Sequence, residues 1–449
     1  MCCAFQALAD GDYIVEDDYI VTSNGFIPNW TTTNNEIDNS GLPIGIWGDL
    51  IIPSGIDLTI TNMTFHFGPY GRVIVENGAS LILDGCVLTG NEHCQTMWQG
   101  IQVYGDGYVP NPNIERGSLR LRNNTTIEHA LIGVATMRIP LLPIENMALI
   151  NFNSFQDWQS VSSIALPQLW DFPAILQNSA GALTVESATF NDCLQGINTS
   201  LSRLSYSINA ATFQSNGNLR YPLTAVTQTE AGINSVLCSA LRITNSDFIQ
   251  VNYGIRTTEV GSLSVTSNNT FTTNNIGISA RNLSNNIYQV SRIINNDFTN
   301  CLIGIQTDAQ SAACIEDNTI TGIFGDQIGV YLRGANADVL NNDISSQKFG
   351  IIMTDNTQDG TLIAGNETNA DPANNLLMST PIMSRGDNLG VEITCNDFLN
   401  YSNVGLDIRT WTATNDPAQL ADQGNCEANA PAANNFNAAN NNVVDIYRD

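Results

Sequence analysis

Lysine is nearly absent from this 449-residue sequence, in which Lys348 is the single example. Only 16 basic residues stand against 43 acidic ones, and the formal charge at pH 7 is −27. Nucleic acids and anionic membrane surfaces are bound through clustered basic side chains. We therefore expect no nucleic-acid partner.

Long apolar runs are also absent. No stretch approaches the roughly 18 to 20 residues of a membrane-spanning helix, so we expect no membrane insertion. Charged residues make up only 13% of the chain, whereas 43% of the residues are hydrophobic. This is not the composition of a charge-rich disordered chain. Solubility must come from uncharged polar groups, such as the asparagines at 440–442.

A repeat of about 26 residues runs through the chain, within the range typical of solenoid proteins. One large apolar residue marks each repeat and serves as its anchor. The anchors are Phe65, Leu88, Ile127, Phe155, Phe190, Phe213, Phe248, Phe271, Phe298, Ile320, Ile344 and Phe398. An aliphatic residue precedes each anchor by five places, except that Leu121 and Val265 precede Ile127 and Phe271 by six. A single-residue insertion in the turn would produce this shift.

Apolar residues alternate with polar ones before the anchors, as at Leu241 and Ile243, which indicates strands rather than helices. Stacked repeats would pair each strand with its copy about 4.8 Å away and bury like side chains in columns. The sequence therefore predicts an all-β fold, a right-handed parallel β-helix of about 12 to 15 rungs. Residues 1–45 are expected to be an N-terminal cap or lead-in strands, and residues 46–449 the β-helix. The expected buried column contains Ile243, Ile293, Ile315 and Val339.

Asparagine often stands two residues before the anchor, and two explanations stay open. Stacked asparagines can form a hydrogen-bonded ladder, or asparagine can simply tolerate the left-handed turn conformation. The residues concerned are Asn269, Asn296, Asn318, Asn342 and Asn396.

Three segments carry a family resemblance: 54–60 (SGIDLTI), 77–83 (NGASLIL) and 98–105 (WQGIQVYG). They resemble secreted β-helix proteins of the pectin-lyase-like superfamily, most of all surface proteins exported by type IX secretion, over roughly residues 45 to 449. The resemblance implies an extracellular or cell-surface location. It implies little about activity, because the superfamily mixes lyases, hydrolases, adhesins and fibres. Proteins exported this way carry a C-terminal sorting domain; either that tail has been removed here or the export route differs.

The lyases of this superfamily resemble one another in using a basic residue beside calcium that is held by clustered carboxylates. No acidic cluster surrounds the candidate bases, which are Arg242, Arg256, Arg281 and Arg292. The histidines His66, His93 and His129 are scattered, and a surface or packing role is favoured for each. We therefore predict no catalytic residue.

Calcium is suggested by the acidic composition, and Asp355, Asp359 and Glu367 lie near one another in the sequence. However, no loop offers the six to eight oxygen ligands of calcium in a recognisable order. Scattered surface charge is the favoured interpretation, and no cofactor or metal is predicted.

A possible carboxylate array lies just before the anchors, at Asp247, Thr270, Asp297, Thr319 and Asp343. Acids on every second rung would be about 9.6 Å apart. This exceeds the roughly 5 to 5.5 Å of a retaining glycosidase pair and just passes the inverting range. The favoured interpretation is that threonine separates like charges, which destabilise a sheet when they lie directly opposite each other.

Two predicted loop insertions carry the candidate ligand-binding residues. Trp158, Trp170 and Phe172 lie in the insertion near 156–180, and Tyr221 lies in that near 214–231. Their rings could stack on sugars or anchor a partner chain, or fold back as a lid over one sheet. The predicted function is a structural or adhesive protein that binds a surface glycan or another protein chain. The alternative is a polysaccharide-degrading lyase or glycoside hydrolase.

Ten cysteines in a chain taken to be extracellular suggest disulfides. The predicted bridge joins Cys86 to Cys94 and would close the loop before Trp98. Cys193 and Cys301 share a register but would lie about 19 Å apart along the rungs. This is beyond the roughly 7 Å limit for a disulfide, so they are not expected to pair.

Overall fold

The structure is a computed structural model, whose described residues form two compact units. Unit 1 comprises Met1–Ser239 and Gln250–Asn252, and unit 2 comprises Ala240–Ile249 and Tyr253–Asp449. The described residues are 13–15, 18–21, 25–28, 43–92, 94–105, 116–139, 180–200, 204–220, 223, 228–283, 291–308, 311–322, 327–345, 347–354, 361–369, 378–388, 391–409, 419–420, 434–438 and 444–448.

Unit 1 contains twenty strands. They are β1 (Tyr13–Val15), β2 (Tyr19–Ile20), β3 (Gly25–Pro28), β4 (Ile44–Ile46), β5 (Leu50–Ile52), β6 (Asp57–Thr61), β7 (Thr64–Phe67), β8 (Arg72–Val75), β9 (Ser80–Asp84), β10 (Val87–Gly90), β11 (Trp98–Val103), β12 (Ser118–Arg122), β13 (Thr125–Glu128), β14 (Ala130–Ala135), β15 (Ala182–Val185), β16 (Ala188–Asn191), β17 (Gln195–Ser200), β18 (Ser205–Asn209), β19 (Ala211–Gln214) and β20 (Ala231–Val236), all within the described residues.

Unit 2 continues the same pattern. Its described strands are β21 (Ala240–Thr244), β22 (Asp247–Ile249), β23 (Tyr253–Thr258), β24 (Leu263–Thr272), β25 (Ile276–Arg281), β26 (Ser291–Thr299), β27 (Ile303–Asp308), β28 (Ala312–Glu316), β29 (Thr319–Thr321), β30 (Ile328–Arg333), β31 (Asn336–Leu340), β32 (Asp343–Ser345), β33 (Phe349–Thr354), β34 (Thr361–Ala364), β35 (Glu367–Asn369), β36 (Thr380–Arg385), β37 (Asp387–Asn388), β38 (Val391–Thr394), β39 (Asp397–Tyr401), β40 (Val404–Arg409), β41 (Gln419–Leu420), β42 (Asn435–Ala438) and β43 (Val444–Arg448).

Each unit is built from two parallel sheets, in which every rung pairs with its neighbours. The second sheet takes β2, β5, β8, β11, β14, β17 and β20 in unit 1 and β23, β25, β27, β30, β33, β36, β40 and β43 in unit 2. Except for β37 and β41, which pair with each other, the remaining strands form the first sheet. The protein is an all-β, right-handed parallel β-helix. Its described second-sheet strands, one from each rung, match the expected 12 to 15 rungs.

The predicted buried column is confirmed in unit 2. Parallel strands pair Ile243 with Val265, and then Val265 with Ile293, Ile293 with Ile315 and Ile315 with Val339. All these side chains are fully buried. Like side chains stack because equivalent positions of successive rungs face the same interior.

The anchor column forms an aromatic stack in each unit. In unit 2 the ring centroids of Phe248 and Phe271 are 4.7 Å apart, and those of Phe271 and Phe298 are 4.6 Å apart. In unit 1 the Phe190 and Phe213 rings stack at 4.8 Å. These distances match the rung spacing, so ring stacking and strand pairing reinforce each other.

Glycine on the second sheet makes room for this stack. A Cβ added to Gly277 would lie 2.6 Å from the carbonyl oxygen of Gly304 and 2.7 Å from the Phe298 ring. No side chain fits there. A glycine followed by an aliphatic residue stands six places after several anchors, as at 254–255, 277–278 and 304–305. The close packing explains this recurrence.

Two anchor assignments differ from the structure. Phe155 lies outside the described residues, but Ile127 pairs directly with Phe190, so the predicted rung between them is wrong. Conversely, Thr368 fills an anchor position between Ile344 and Phe398, which the sequence repeat missed. The rung of Thr368 was missed because it lacks an aromatic or large aliphatic anchor. The rung assigned to Phe155 is false because the strands before and after that segment pair directly with each other.

The predicted single-residue insertions are confirmed by the turn geometry. Most of these turns contain one residue with positive φ, such as Asn341 at 53°. The turns before Ile127 and Phe271 contain two each: Asn123 and Asn124, and Ser267 and Asn268. The second left-handed residue absorbs the extra position while both strands keep their register.

An asparagine ladder runs along unit 2. Each side-chain Nδ2 donates to Oδ1 of the next asparagine at 2.8–3.0 Å, through Asn269, Asn296, Asn318, Asn342, Asn366, Asn396 and Asn434. From Asn318 onward, each Oδ1 also accepts the backbone N–H of the preceding residue in the ladder, as in Asn318 N–H to Asn342 Oδ1 at 3.0 Å. The Asn342 side chain is 1% exposed, so every hydrogen bond replaces lost water.

The two explanations for asparagine apply to neighbouring positions. The ladder residue Asn342 lies inside the turn, and the exposed residue before it, Asn341, has the left-handed conformation. The predicted ladder is therefore confirmed. Asn366 and Asn434 belong to it as well, beyond the members that the sequence identified.

The predicted division of the chain into an N-terminal cap or lead-in strands (1–45) and a β-helix (46–449) stays a prediction. Among the described residues, no helix has the length and apolar character needed to cross a membrane.

Replacement of Asn342 by alanine is expected to lower the free energy of unfolding by about 2 to 3 kcal/mol, because buried partners in the ladder lose their hydrogen bonds. Urea unfolding followed by tryptophan fluorescence measures this change. Asn341→Gly is the control, since glycine accepts the left-handed conformation at no steric cost. Equal effects of the two variants would contradict the structural role of the ladder.

Candidate functional site

The predicted ligand-binding residues Trp158, Trp170, Phe172 and Tyr221 lie outside the described residues. Their role stays a prediction. Of the acidic residues that were considered as calcium ligands and interpreted as surface charge, Asp355 and Asp359 also lie outside the described residues, whereas Glu367 lies on β35. Within the described part of the chain, no group of three or more His, Cys, Asp or Glu side chains is arranged to hold a metal ion.

The predicted disulfide between Cys86 and Cys94 is wrong, because Cys86 is a free, buried thiol. Its Sγ lies 3.3 Å from the carbonyl oxygen of Ile60, to which it donates. Cys86 stands two residues before the anchor Leu88, which is the asparagine position in unit 2. The thiol therefore has the place of a ladder residue inside the rung and points away from the loop that contains Cys94.

Cys193 and Cys301 are both free thiols and, in agreement with the prediction, do not pair with each other. Each stands three residues after its anchor and donates to the anchor carbonyl of the preceding rung, that of Ile127 or Phe271, at 3.5 Å. Burial raises the pKa of each thiol to about 12. These cysteines therefore act as small buried donors and are poor nucleophiles at neutral pH.

His129 occupies a turn between β13 and β14 in unit 1, with a φ of 53°. Its backbone N–H donates to the Asn191 carbonyl at 3.1 Å, and its carbonyl accepts from the Trp98 N–H at 3.0 Å. The neighbouring rungs on both sides thus hold this strained turn in place. His129 is only 9% exposed, so of the surface and packing roles favoured for it, the structure shows packing.

Arg220 reaches the same corner from a later rung and donates from Nη1 to the carbonyl of Gly90 at 2.7 Å. We call His129, Arg220 and Gly90 the His129 corner. Burial, reinforced by the charge of Arg220, lowers the pKa of His129 to about 4. The imidazole is therefore neutral at pH 7, and its buried Nδ1 has no hydrogen-bond partner. A neutral imidazole can accept a proton, but its lowered pKa makes it a weak base at pH 7. This corner is one of two catalytic candidates.

The other catalytic candidate is the acidic array on the outer face of the first sheet in unit 2. The alternation of acids and threonines is confirmed from Asp247 to Asp343. Beyond Asp343 it ends, because Glu367 and Asp397 follow on successive rungs. The separation of like charges by threonine therefore explains only the first part. We call Asp247, Asp297, Asp343, Glu367 and Asp397 the carboxylate column.

The outer face of the second sheet in unit 2 carries a basic feature that the sequence analysis missed. The last outward positions of successive strands form one column. It runs through Thr258, Arg281, Asp308, Arg333, Thr354 and Arg385. Of these residues, Thr354 is buried. We call Arg281, Arg333 and Arg385 the arginine strip. Its members stand on alternate rungs, about 9.6 Å apart.

The guanidinium groups of the strip are available for a partner. Arg281 and Arg333 are exposed and Arg385 is half-buried. Within the described residues, none of the three has a carboxylate oxygen within 4.0 Å; the ion pairs found there, such as that between Arg72 and Asp49, belong to unit 1. Three arginines without an ion pair among the described residues are notable in a chain with 43 acidic residues.

Asp308 separates the first two arginines of the strip. Burial raises its pKa, while a hydrogen bond from Gln306 and the charges of Arg333 and Arg281 lower it. Gln306 Nε2 donates to Asp308 Oδ2 at 2.7 Å, and Oδ1 is buried without a hydrogen-bond partner. Asp308 thus turns toward Gln306 and leaves both arginines unpaired.

A signal for the strip was present in the sequence. Arg281, Asp308 and Arg333 each follow by four residues the glycine that makes room for the stack, at positions 277, 304 and 329. Aligning the chain on that glycine, rather than on the anchor, would have placed the arginines in one column. What the sequence could not show is that these arginines lack ion-pair partners.

No family model matches the sequence, and no curated protein matches it. Solved structures do resemble it. The mannuronan C-5 epimerase AlgE4 A-module of Azotobacter vinelandii is 11% identical, with a TM-score of 0.47 over 85% of this chain and 91% of that one.

Two further solved structures also resemble the chain. The family 28 exopolygalacturonase of Yersinia enterocolitica is 10% identical, with a TM-score of 0.32 over 94% of this chain and 78% of that one. The surface protein and adhesin PfbA of Streptococcus pneumoniae is also 10% identical, with a TM-score of 0.37 over 78% and 91%. Likenesses this distant give no basis for assigning an activity.

His129→Gln is expected to remove a pH-dependent part of the stability. Because the pKa of His129 is depressed in the folded state, its contribution is complete above about pH 6.5 and is lost as the pH falls through about 4. The wild type should therefore lose about 2 to 3 kcal/mol more than the variant between pH 7 and pH 4. Urea unfolding at both pH values measures the difference.

Arg220→Gln is the companion variant. It removes the charge that helps to depress the pKa of His129, so it should retain part of the pH dependence. An unchanged pH profile in His129→Gln would show that the histidine is not neutral in the folded protein.

Proposed function

We propose that this protein is an extracellular or cell-surface structural and adhesive β-helix that acts by binding through its outer sheet faces. The arginine strip is the observation that carries the proposal. Guanidinium groups form paired hydrogen bonds with carboxylates, and those of the strip lack such partners among the described residues. Export by type IX secretion is part of the same proposal.

The framework beneath the strip suits this role. Gly277 and the aromatic stack hold each second-sheet strand against the first sheet, and β25, β27 and β30 pair in one continuous register. The arginines therefore stand at fixed intervals on rigid strands. Binding a repetitive partner at several such points strengthens attachment without requiring any strong single contact.

The chemistry of the strip selects carboxylate-bearing partners, either a surface glycan or another protein chain. With a formal charge of −27, the protein as a whole repels polyanions. Attachment must therefore be local to the strip. It should weaken as salt shortens the range of the attraction to about 3 Å at 1 M.

Binding to an immobilised carboxylate polymer tests the proposal. Wild-type protein in low salt should bind polygalacturonate-coated sensors, and Arg281→Gln/Arg333→Gln should weaken binding at least tenfold, because about 1.4 kcal/mol corresponds to that factor. Arg242→Gln/Arg292→Gln is the matched control: it removes two exposed charges from the other sheet of the same unit. Equal loss in both variants would reduce the effect to net charge and refute the role of the strip.

The alternative function, a polysaccharide-degrading enzyme, draws support from the neutral, buried His129 beside Arg220. We expect no cleavage of pectin, alginate or other acidic polysaccharides, because the carboxylate column lies on unit 2 without an arranged base. Assays for reducing ends and unsaturated products measure this. Product release at ordinary enzyme rates that His129→Ala abolishes would establish the alternative and overturn the binding function.

A further inference from the structure

We infer that the partner of the arginine strip is the carboxylate column of a second copy of this chain. This inference rests on the proposed function, because it uses the same strip. The copies would lie side by side with the unit 2 axes parallel, so that the second sheet of one faces the first sheet of the next.

The two columns alternate along the same rungs. Chain order assigns one first-sheet position and one second-sheet position to each rung. In successive rungs the pairs are Asp247 with Thr258, Thr270 with Arg281, Asp297 with Asp308, Thr319 with Arg333, Asp343 with Thr354, and Glu367 with Arg385. Up to the rung of Asp343, acids on the first sheet and arginines on the second therefore occupy different rungs.

A shift of one rung between the copies brings opposite charges together. Asp247, Asp297 and Asp343 of one copy then face Arg281, Arg333 and Arg385 of the other. Both sets repeat every second rung, about 9.6 Å. All three pairs can therefore form at once, with no adjustment along the axis.

The intervening positions are compatible with the same shift. Thr270 of one copy faces Asp308 of the other, so no like charges meet at that rung. Thr319 faces the rung of Thr354, which is uncharged and buried. Without the shift, Asp297 would face Asp308, and like charges would repel each other. The charge pattern thus excludes the unshifted register. A shift of one rung in the opposite direction would also join opposite charges, Asp297 to Arg281, Asp343 to Arg333 and Asp397 to Arg385.

Exposure allows the contact. Asp297, Asp343, Arg281 and Arg333 are exposed, whereas Asp247 and Arg385 are half-buried. Self-association also accounts for the identical spacing of the acidic and basic columns, which attachment to an unrelated anionic glycan would not require. The observations therefore favour a second copy over a glycan.

The symmetry of this contact makes it open-ended. Because the two contacting surfaces differ, each copy keeps a free carboxylate column on one side and a free arginine strip on the other. Such head-to-tail contacts between parallel copies do not close, and they continue as an array. A lateral array is a suitable structure for a cell-surface layer.

Charge reversal in mixed copies is the test, and sedimentation velocity of the full chain at about 0.15 M and 1 M salt is the measurement. Wild type should form assemblies that grow with concentration and disperse in 1 M salt, where screening is nearly complete. Arg281→Glu/Arg333→Glu alone and Asp247→Arg/Asp297→Arg alone should each weaken association at least tenfold, since like charges then meet. The equimolar mixture should restore it.

Controls separate this inference from the proposed function. Both variants must keep the wild-type circular dichroism spectrum, and Arg242→Glu/Arg292→Glu should associate as the wild type does. A monomeric wild type that still binds polygalacturonate through the strip would refute self-association and leave the adhesive function standing. If the mixture fails to restore association, this register is refuted. If the wild type neither associates nor binds polygalacturonate, both proposals are refuted.

Discussion

Hydrogen bonding between neighbouring rungs is the constraint on which the rest of the structure depends. In unit 2 it extends into the side chains, where Asn342 accepts both the backbone N–H and the side-chain Nδ2 of Asn318. A slip of one residue would expose the buried column and break both bonds. Because the interior register cannot move, the outward columns are fixed as well, and surface charges occupy defined rungs.

The two units have different types of side chain at the same buried position of the turn. At the ladder position, unit 2 uses amides that bond to one another. Unit 1 places Cys86 and Thr125 there, and each donates to the strand carbonyl of the preceding rung, at Ile60 and Leu83. A thiol or hydroxyl satisfies that carbonyl but cannot continue the chain of side-chain bonds. The turn thus accepts any small buried donor, and only asparagine joins several rungs.

Function in such a fold depends on what the regular interior leaves on its surface. The His129 corner is one irregularity, formed where a left-handed turn meets an arginine from a later rung. The arginine strip is a regular feature, since it repeats with the rungs. A repeating feature serves repeating partners, and this favours binding and assembly over chemistry at a single centre.

The sequence by itself determined the fold class, the alternate acidic positions, the inserted turn residues and the ladder, because each follows from a pattern local to one repeat. The columns of Ile293 and Asn342 could be predicted since a strand presents its side chains with a period of two. The tertiary structure alone decided features that depend on pairing between distant segments. In the structure no rung is anchored by Phe155, and Thr368 lies at an anchor position. Cys86 is buried inside its rung, and Asp343 lies next to Glu367 on the neighbouring rung. The tertiary structure also left the arginines without an ion pair among the described residues, since whether a charge has a partner depends on neighbouring rungs, which the spacing within one repeat does not reveal.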